Sequence, residues 1–245
     1  MPHRYRRCRR LAALAVAAIL TVPAHAADMG RPLLPGIIGG DDRVMLDSTE
    51  PPWSALGRVN RARGGFCTGT LITPQRVLTA RHCLTARPGT RYVPLSELHF
   101  VAGYRRGDYI AHSGVSRIHA PSLTDQRREA DWAVLDLTTP LPVPSLTVRR
   151  PDNGTPAMIA GYSQNRPHLL SLSQGCLLET PAGSPRLRLH RCDTTRGTSG
   201  APVLQDRPEG PVVVGIVSGF VTRSDGTGAG LLVSAEAVEG VTLSP

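Results

Sequence analysis

Downstream of about residue 40, apolar positions fall in short runs rather than in helical stripes. The clearest are residues 55–59, 69–72, 98–104, 132–137, 157–162, 187–192 and 212–218. Leu187-Arg188-Leu189-His190 alternates apolar with polar, the period of a strand with one buried face. Turn chemistry separates the runs: Arg63-Gly64-Gly65, Arg87-Pro88-Gly89, Asn153-Gly154, Ala182-Gly183-Ser184-Pro185 and Ser224-Asp225-Gly226. Helical spacing is confined to a turn near residues 80–84 and another near 235–238. The pattern predicts an all-β protein. Residues 139–150 hold Pro140, Pro142 and Pro144 and are poor strand material, so they read as a stiff connector between two β-rich halves, about 41–140 and 150–245.

The first 26 residues follow another logic. Arg4, Arg6, Arg7, Arg9 and Arg10 precede an apolar stretch over residues 11–22, closed by Pro23 and followed by Ala24-His25-Ala26. That order is expected of a secretory signal peptide, with residues 27–36 as a short propeptide or loose N-terminal segment. The stretch is shorter than the roughly 18 apolar residues a membrane span needs, so no membrane anchor is expected after its removal. Losing five Arg and no acid takes the formal charge from +9 to +4. The remaining basic residues, all Arg, are scattered among the acids, and no nucleic-acid surface is implied. Cys8 leaves as well. Cys67, Cys83, Cys176 and Cys192 remain, an even number that reads as two disulfides in a secreted or periplasmic protein. No C-x-x-C spacing occurs, and no metal site is expected.

Three local strings carry candidate chemistry. Cys67-Thr68-Gly69-Thr70-Leu71-Ile72 is followed by Val77-Leu78-Thr79-Ala80-Arg81-His82-Cys83; strand, turn and strand would bring the two cysteines together beside His82. Asp131-Trp132-Ala133-Val134-Leu135 opens an apolar strand with an acid. Gly197-Thr198-Ser199-Gly200-Ala201-Pro202 places a serine in a glycine-flanked turn. In these strings and in their order His, Asp, Ser, residues 37–245 resemble the trypsin-like, chymotrypsin-fold serine proteases. The separation from Asp131 to Ser199, and Gly40-Asp41-Asp42-Arg43 ahead of Pro52-Trp53-Ser54, resemble the bacterial glutamyl-endopeptidase-like branch.

The resemblance implies two six-stranded antiparallel β-barrels with the active site in the cleft between them. It implies a serine endopeptidase without cofactor, acting on polypeptides as a monomer. A serine hydroxyl is a weak nucleophile and needs a base to take its proton. His82 is the implied base, since imidazole exchanges protons near neutral pH. Asp131 would hold its tautomer, and the N–H groups of Gly197 and Ser199 would form the oxyanion hole. The implied substrate pocket comprises Asp193, Thr194, Ser218, Gly219 and Phe220. A carboxylate of Asp193 facing that pocket would favour Arg or Lys substrates; turned to the backbone beside Cys192, it would not. Glutamyl endopeptidases carry a His just before the Ser-led pocket strand, and Val217 stands there, which counts against glutamate. Phe220 replaces a usual Gly and narrows the entrance.

Three departures stand out. Arg81 replaces a usual Ala before His82 and must reach solvent or an acid. Ile37-Ile38-Gly39-Gly40 resembles an activated N-terminus, but Gly36 precedes it and Thr198 stands where trypsin-like zymogens use Asp. No trypsin-style activation switch is therefore expected. Cys176 and Cys192 flank the turn at residues 182–185 and are expected to bridge the strands of one hairpin. The competing functions are a catalytically silent binding protein on the same fold and an esterase using the same three residues.

Overall fold

The computed structural model describes residues 34–86, 89–223 and 226–242. The expected signal peptide and residues 27–33 lie outside them. Fifteen strands follow in chain order. They are β1 (Val44–Met45), β2 (Leu56–Arg61), β3 (Phe66–Thr73), β4 (Arg76–Thr79), β5 (Thr85–Ala86), β6 (Arg91–Tyr92), β7 (Leu98–Ala102) and β8 (Ala111–His119). Next come β9 (Ala133–Leu137), β10 (Ala157–Ser163), β11 (Arg166–Cys176), β12 (Leu187–His190), β13 (Pro202–Arg207), β14 (Gly210–Thr222) and β15 (Gly228–Ser234). Among the described residues, helix is limited to 3-10 turns and one α-helical turn, Glu239–Thr242. The two expected helical stretches are 3-10 turns, Arg81–Leu84 and Ala235–Ala237.

In the first half, β2, β3, β4, β9, β8 and β7 close into a barrel with all neighbours antiparallel. Alternating positions fill it: Leu56, Val59, Leu71, Leu78, Phe100 and Leu135 are buried. Gly69 sits where a Cβ would come within 2.7 Å of Val77 and 2.8 Å of Val59, so the barrel tolerates no side chain there.

In the second half, six longer strands and the short β1 form one sheet in the order β1-β11-β10-β13-β14-β15-β12. The ladder is open: β11, next to one end, and β12, at the other, share no strand pairing. The disulfide Cys176–Cys192 joins the end of β11 to the residues after β12. The Glu179–Leu189 bridge and the Asp193 N–H, donated to Ser173 Oγ at 2.9 Å, draw the same edges together. The sequence placed this disulfide across one hairpin. It spans the sheet's seam instead, because β12 pairs with β15 rather than with β11.

His190, on β12, is buried, and neither ring nitrogen has a hydrogen-bond partner among the described residues. Gly230 lies directly opposite, and a Cβ there would sit 2.0 Å from the imidazole. Burial lowers the His190 pKa to about 4. The unfolded chain therefore binds a proton between about pH 6.5 and 4 that the fold refuses, and stability falls as pH drops through that window. The loss attributable to His190 is on the order of 3 kcal/mol. Urea unfolding at pH 7.5 and 4.5 checks this: His190→Leu should lose less stability than the wild type by about that amount, and equal losses would contradict it.

Candidate active site

The site forms where the 3-10 turn after β4, the segment before β9 and the turn before β13 converge between the halves. His82 lies on the first, and the disulfide Cys67–Cys83 fastens that turn to β3. Asp131 holds His82 twice. The His82 backbone N–H is donated to Asp131 Oδ1 at 2.9 Å, and its ring Nδ1 lies 2.8 Å from Oδ2. With Nδ1 as donor to a carboxylate, the tautomer leaves Nε2 as the lone-pair nitrogen. Ser218 Oγ donates to the same Oδ2 at 2.5 Å, so this oxygen has two partners and is fixed in direction. The carboxylate is largely covered, at 17% exposed, while the imidazole opens to solvent at 45%.

The loop carrying Ser199 is shaped by two glycines. Gly197 has φ +96°, and a Cβ would lie 2.9 Å from the Phe66 ring and 3.1 Å from Gln164 N. Gly200 has φ +77°, and a Cβ would lie 2.2 Å from Thr79 Oγ1 and 2.4 Å from Thr68 O. Any L side chain there would meet both backbone strain and a collision. The Gln164 N–H is donated to Arg196 O at 2.7 Å. A trans peptide directs its N–H opposite its C=O, so this bond turns the Gly197 N–H away from Gln164. Among the described residues neither the Gly197 nor the Ser199 N–H is donated to a protein group. Thr68, fully buried, ties the halves together at this point. Its hydroxyl is 3.1 Å from Gly197 O and accepts the Tyr162 N–H at 2.9 Å, and its own N–H is donated to Ser199 O at 2.9 Å.

Beside Ser199 is a cavity of about 200 Å³ lined by Pro35, Thr194, Thr195, Arg196, Val217, Gly219 and Phe220. Of the residues expected in a substrate pocket, Thr194, Gly219 and Phe220 line this cavity. Asp193 and Ser218, expected in the same pocket, do not line it, and Asp193 takes the second of the two orientations the sequence left open. Asp193 is buried with its carboxylate turned from the cavity, accepting the Ile38 N–H at 2.7 Å and the Asp42 N–H at 3.4 Å. Burial pushes its carboxyl pKa up against the pull of these amides. The Thr194 N–H is donated to Gly36 O, so the segment at residues 36–42 occupies that side of the wall. Ser218 spends its hydroxyl on Asp131. Sequence reasoning missed the N-terminal segment, whose docking is a contact across some 155 residues with no local signature. Ile37, which opens the string that resembles an activated N-terminus, donates its N–H to Leu34 O within a turn.

The profile of the trypsin-like peptidase domain matches residues 67–216, well over half of the chain. This chain belongs to the trypsin-like peptidase family. Its class is therefore that of the serine endopeptidases, hydrolases that act on polypeptides. Among solved structures, the trypsin-like peptidase is similar to a Glu endopeptidase in complex with MPD, with a TM-score of 0.72 and 21% identity. The match covers 85% of this chain and 100% of that one. At that identity the likeness is one of fold, and the fold agrees with the two β-rich halves read from the sequence. The two disulfides are compatible with an oxidising compartment, and no helix among the described residues is long and apolar enough to cross a membrane.

Proposed function

We propose that this protein is an exported serine endopeptidase in which Ser199 attacks the peptide carbonyl, His82 carries the proton and Asp131 holds His82. The observation that carries the reading is the double grip of Asp131 on His82, with two undonated N–H groups on the neighbouring Ser199 loop. As Ser199 Oγ bonds to the carbonyl carbon, its proton passes to His82 Nε2 and the carbonyl oxygen becomes an oxyanion. The Gly197 and Ser199 N–H groups would stabilise that oxygen, a single such donor being worth about 2.7–4 kcal/mol. Collapse breaks the C–N bond, and His82 gives the proton to the leaving amine. Water then repeats the sequence on the acyl-enzyme, restoring Ser199 and releasing the acid. The monomeric state expected from the sequence belongs to the same proposal.

With Asp193 turned away, the ground for an Arg or Lys preference is gone. Among the described residues that line the cavity beside Ser199, Arg196 alone carries a charge, which supports a substrate with an acidic side chain. The Glu endopeptidase it resembles in fold points the same way. Val217 supplies no imidazole to the cavity, so the cation in this proposal is Arg196. Cleavage of a mixed peptide library by the protein freed of residues 1–26 tests the reading. Cuts are expected after Asp or Glu, and Arg196→Ala should reduce that preference about tenfold, the value of one charge-assisted hydrogen bond. An intact library from folded protein, or cleavage of esters alone, would overturn the endopeptidase reading; cuts after Arg or Lys would overturn the role of Arg196.

A further inference from the structure

Arg81, expected to reach solvent or an acid, turns to backbone, with Asp125 of the same loop close enough to feel its charge. Its guanidinium donates to three backbone carbonyls of one loop: Pro121 O at 3.4 Å, Ser122 O at 2.5 Å and, through the other terminal nitrogen, Asp125 O at 2.7 Å. The Tyr92 hydroxyl reaches the same Pro121 O at 3.5 Å. That loop leads through the 3-10 turn Arg128–Ala130 into Asp131. Two consecutive residues thus bind one stretch of chain, His82 at its Asp131 end and Arg81 at its start.

The loop faces the reacting groups. A cavity of about 670 Å³ has both His82, Asp131 and Ser218 and the loop residues Leu123, Thr124 and Gln126 in its lining. It lies on the His82 side of the site and is distinct from the smaller cavity beside Ser199. A substrate extending past the scissile residue would lay its neighbouring residues there. Two terminal nitrogens held in one plane let arginine reach carbonyls at both ends of the loop at once, whereas lysine carries its donors on a single nitrogen.

We infer that Arg81 is a positioning residue that fixes residues 121–125 as the wall of a subsite for extended peptides. The inference rests on the endopeptidase reading for its substrate and on the Arg81 geometry for its mechanism. It predicts a split by substrate length. Arg81→Ala and Arg81→Lys should lower kcat/KM for a tetrapeptide or longer amide by about tenfold or more, mainly through KM, as expected for lost uniform binding. A single-residue ester, too short to reach the loop, should be cleaved within about twofold of the wild-type rate. Amide hydrogen exchange over residues 121–128 should speed up in both variants while β9 stays protected. Equal losses on both substrates, unchanged kinetics on both, or unchanged exchange in the loop would each overturn the inference. A wild type that cleaves neither substrate would strike the endopeptidase reading, and the exchange measurement would still decide whether Arg81 holds the loop.

Discussion

Replacing Ser199 by Ala is expected to lower kcat on a cleavable peptide by on the order of 10⁶-fold, with KM little changed. The oxygen lost is the one that forms the acyl bond, and nothing else on the loop substitutes for it: Thr198 is buried, and Gly200 has no side chain. The fold should survive, because the loop is held through Ser199's backbone. Thr68 donates to the Ser199 carbonyl, and Gly200 N–H to Val217 O at 2.7 Å, and neither bond involves the hydroxyl. The check is single-substrate kinetics with an unfolding curve alongside. An unchanged midpoint with lost turnover is the predicted pair; retained turnover would remove Ser199 from the mechanism.

Asp131→Asn should cost about 10⁴-fold in kcat, the effect of a wrongly held tautomer. Asn presents one carbonyl and one NH₂ where Asp presents two acceptors. The His82 backbone N–H and its ring Nδ1 each need an acceptor, and Ser218 donates to the same side as Nδ1. With the carbonyl taken by the backbone N–H, the NH₂ faces Nδ1 and draws its lone pair. The ring then keeps its hydrogen on Nε2, the nitrogen that must accept from Ser199. Loss should appear at every pH where the wild type is active. A loss under tenfold would mean that Asp131 does not set the tautomer.

What was legible in the sequence was whatever sits in contiguous strings. Alternation and turn residues gave the strand-rich halves, and Cys67 and Cys83 bracket a stretch short enough that their pairing beside His82 follows from the chain path. His82, Asp131 and the glycine-flanked Ser199 could be singled out because each lies in a short string of its own. Orientation was not legible. Asp193 stands at a pocket offset, yet its buried carboxylate needed N–H partners and took them from Ile38 and Asp42, residues far away in sequence. Ser218 was placed in the pocket because it opens a pocket strand; its hydroxyl faces the other way, to Asp131. Arg81 showed as an oddity whose answer, three carbonyls, leaves no trace in residue types because every residue has a carbonyl. Likewise the seam of the second sheet depends on which strand β12 pairs with, a long-range choice that Cys spacing does not encode.

The central claim is that Ser199 is an activated nucleophile served by His82. It is tested most directly by an alkyl fluorophosphonate, which needs no knowledge of the natural substrate. In this reaction Ser199 Oγ bonds to phosphorus, fluoride leaves, and His82 takes the hydroxyl proton. Intact-mass and peptide mapping of the protein freed of residues 1–26 should show one phosphonyl group, on the peptide containing Ser199. Labelling should be absent in Ser199→Ala and slowed by several orders of magnitude in His82→Ala. Labelling at another residue, or no adduct on folded wild-type protein with both disulfides formed, would contradict the account.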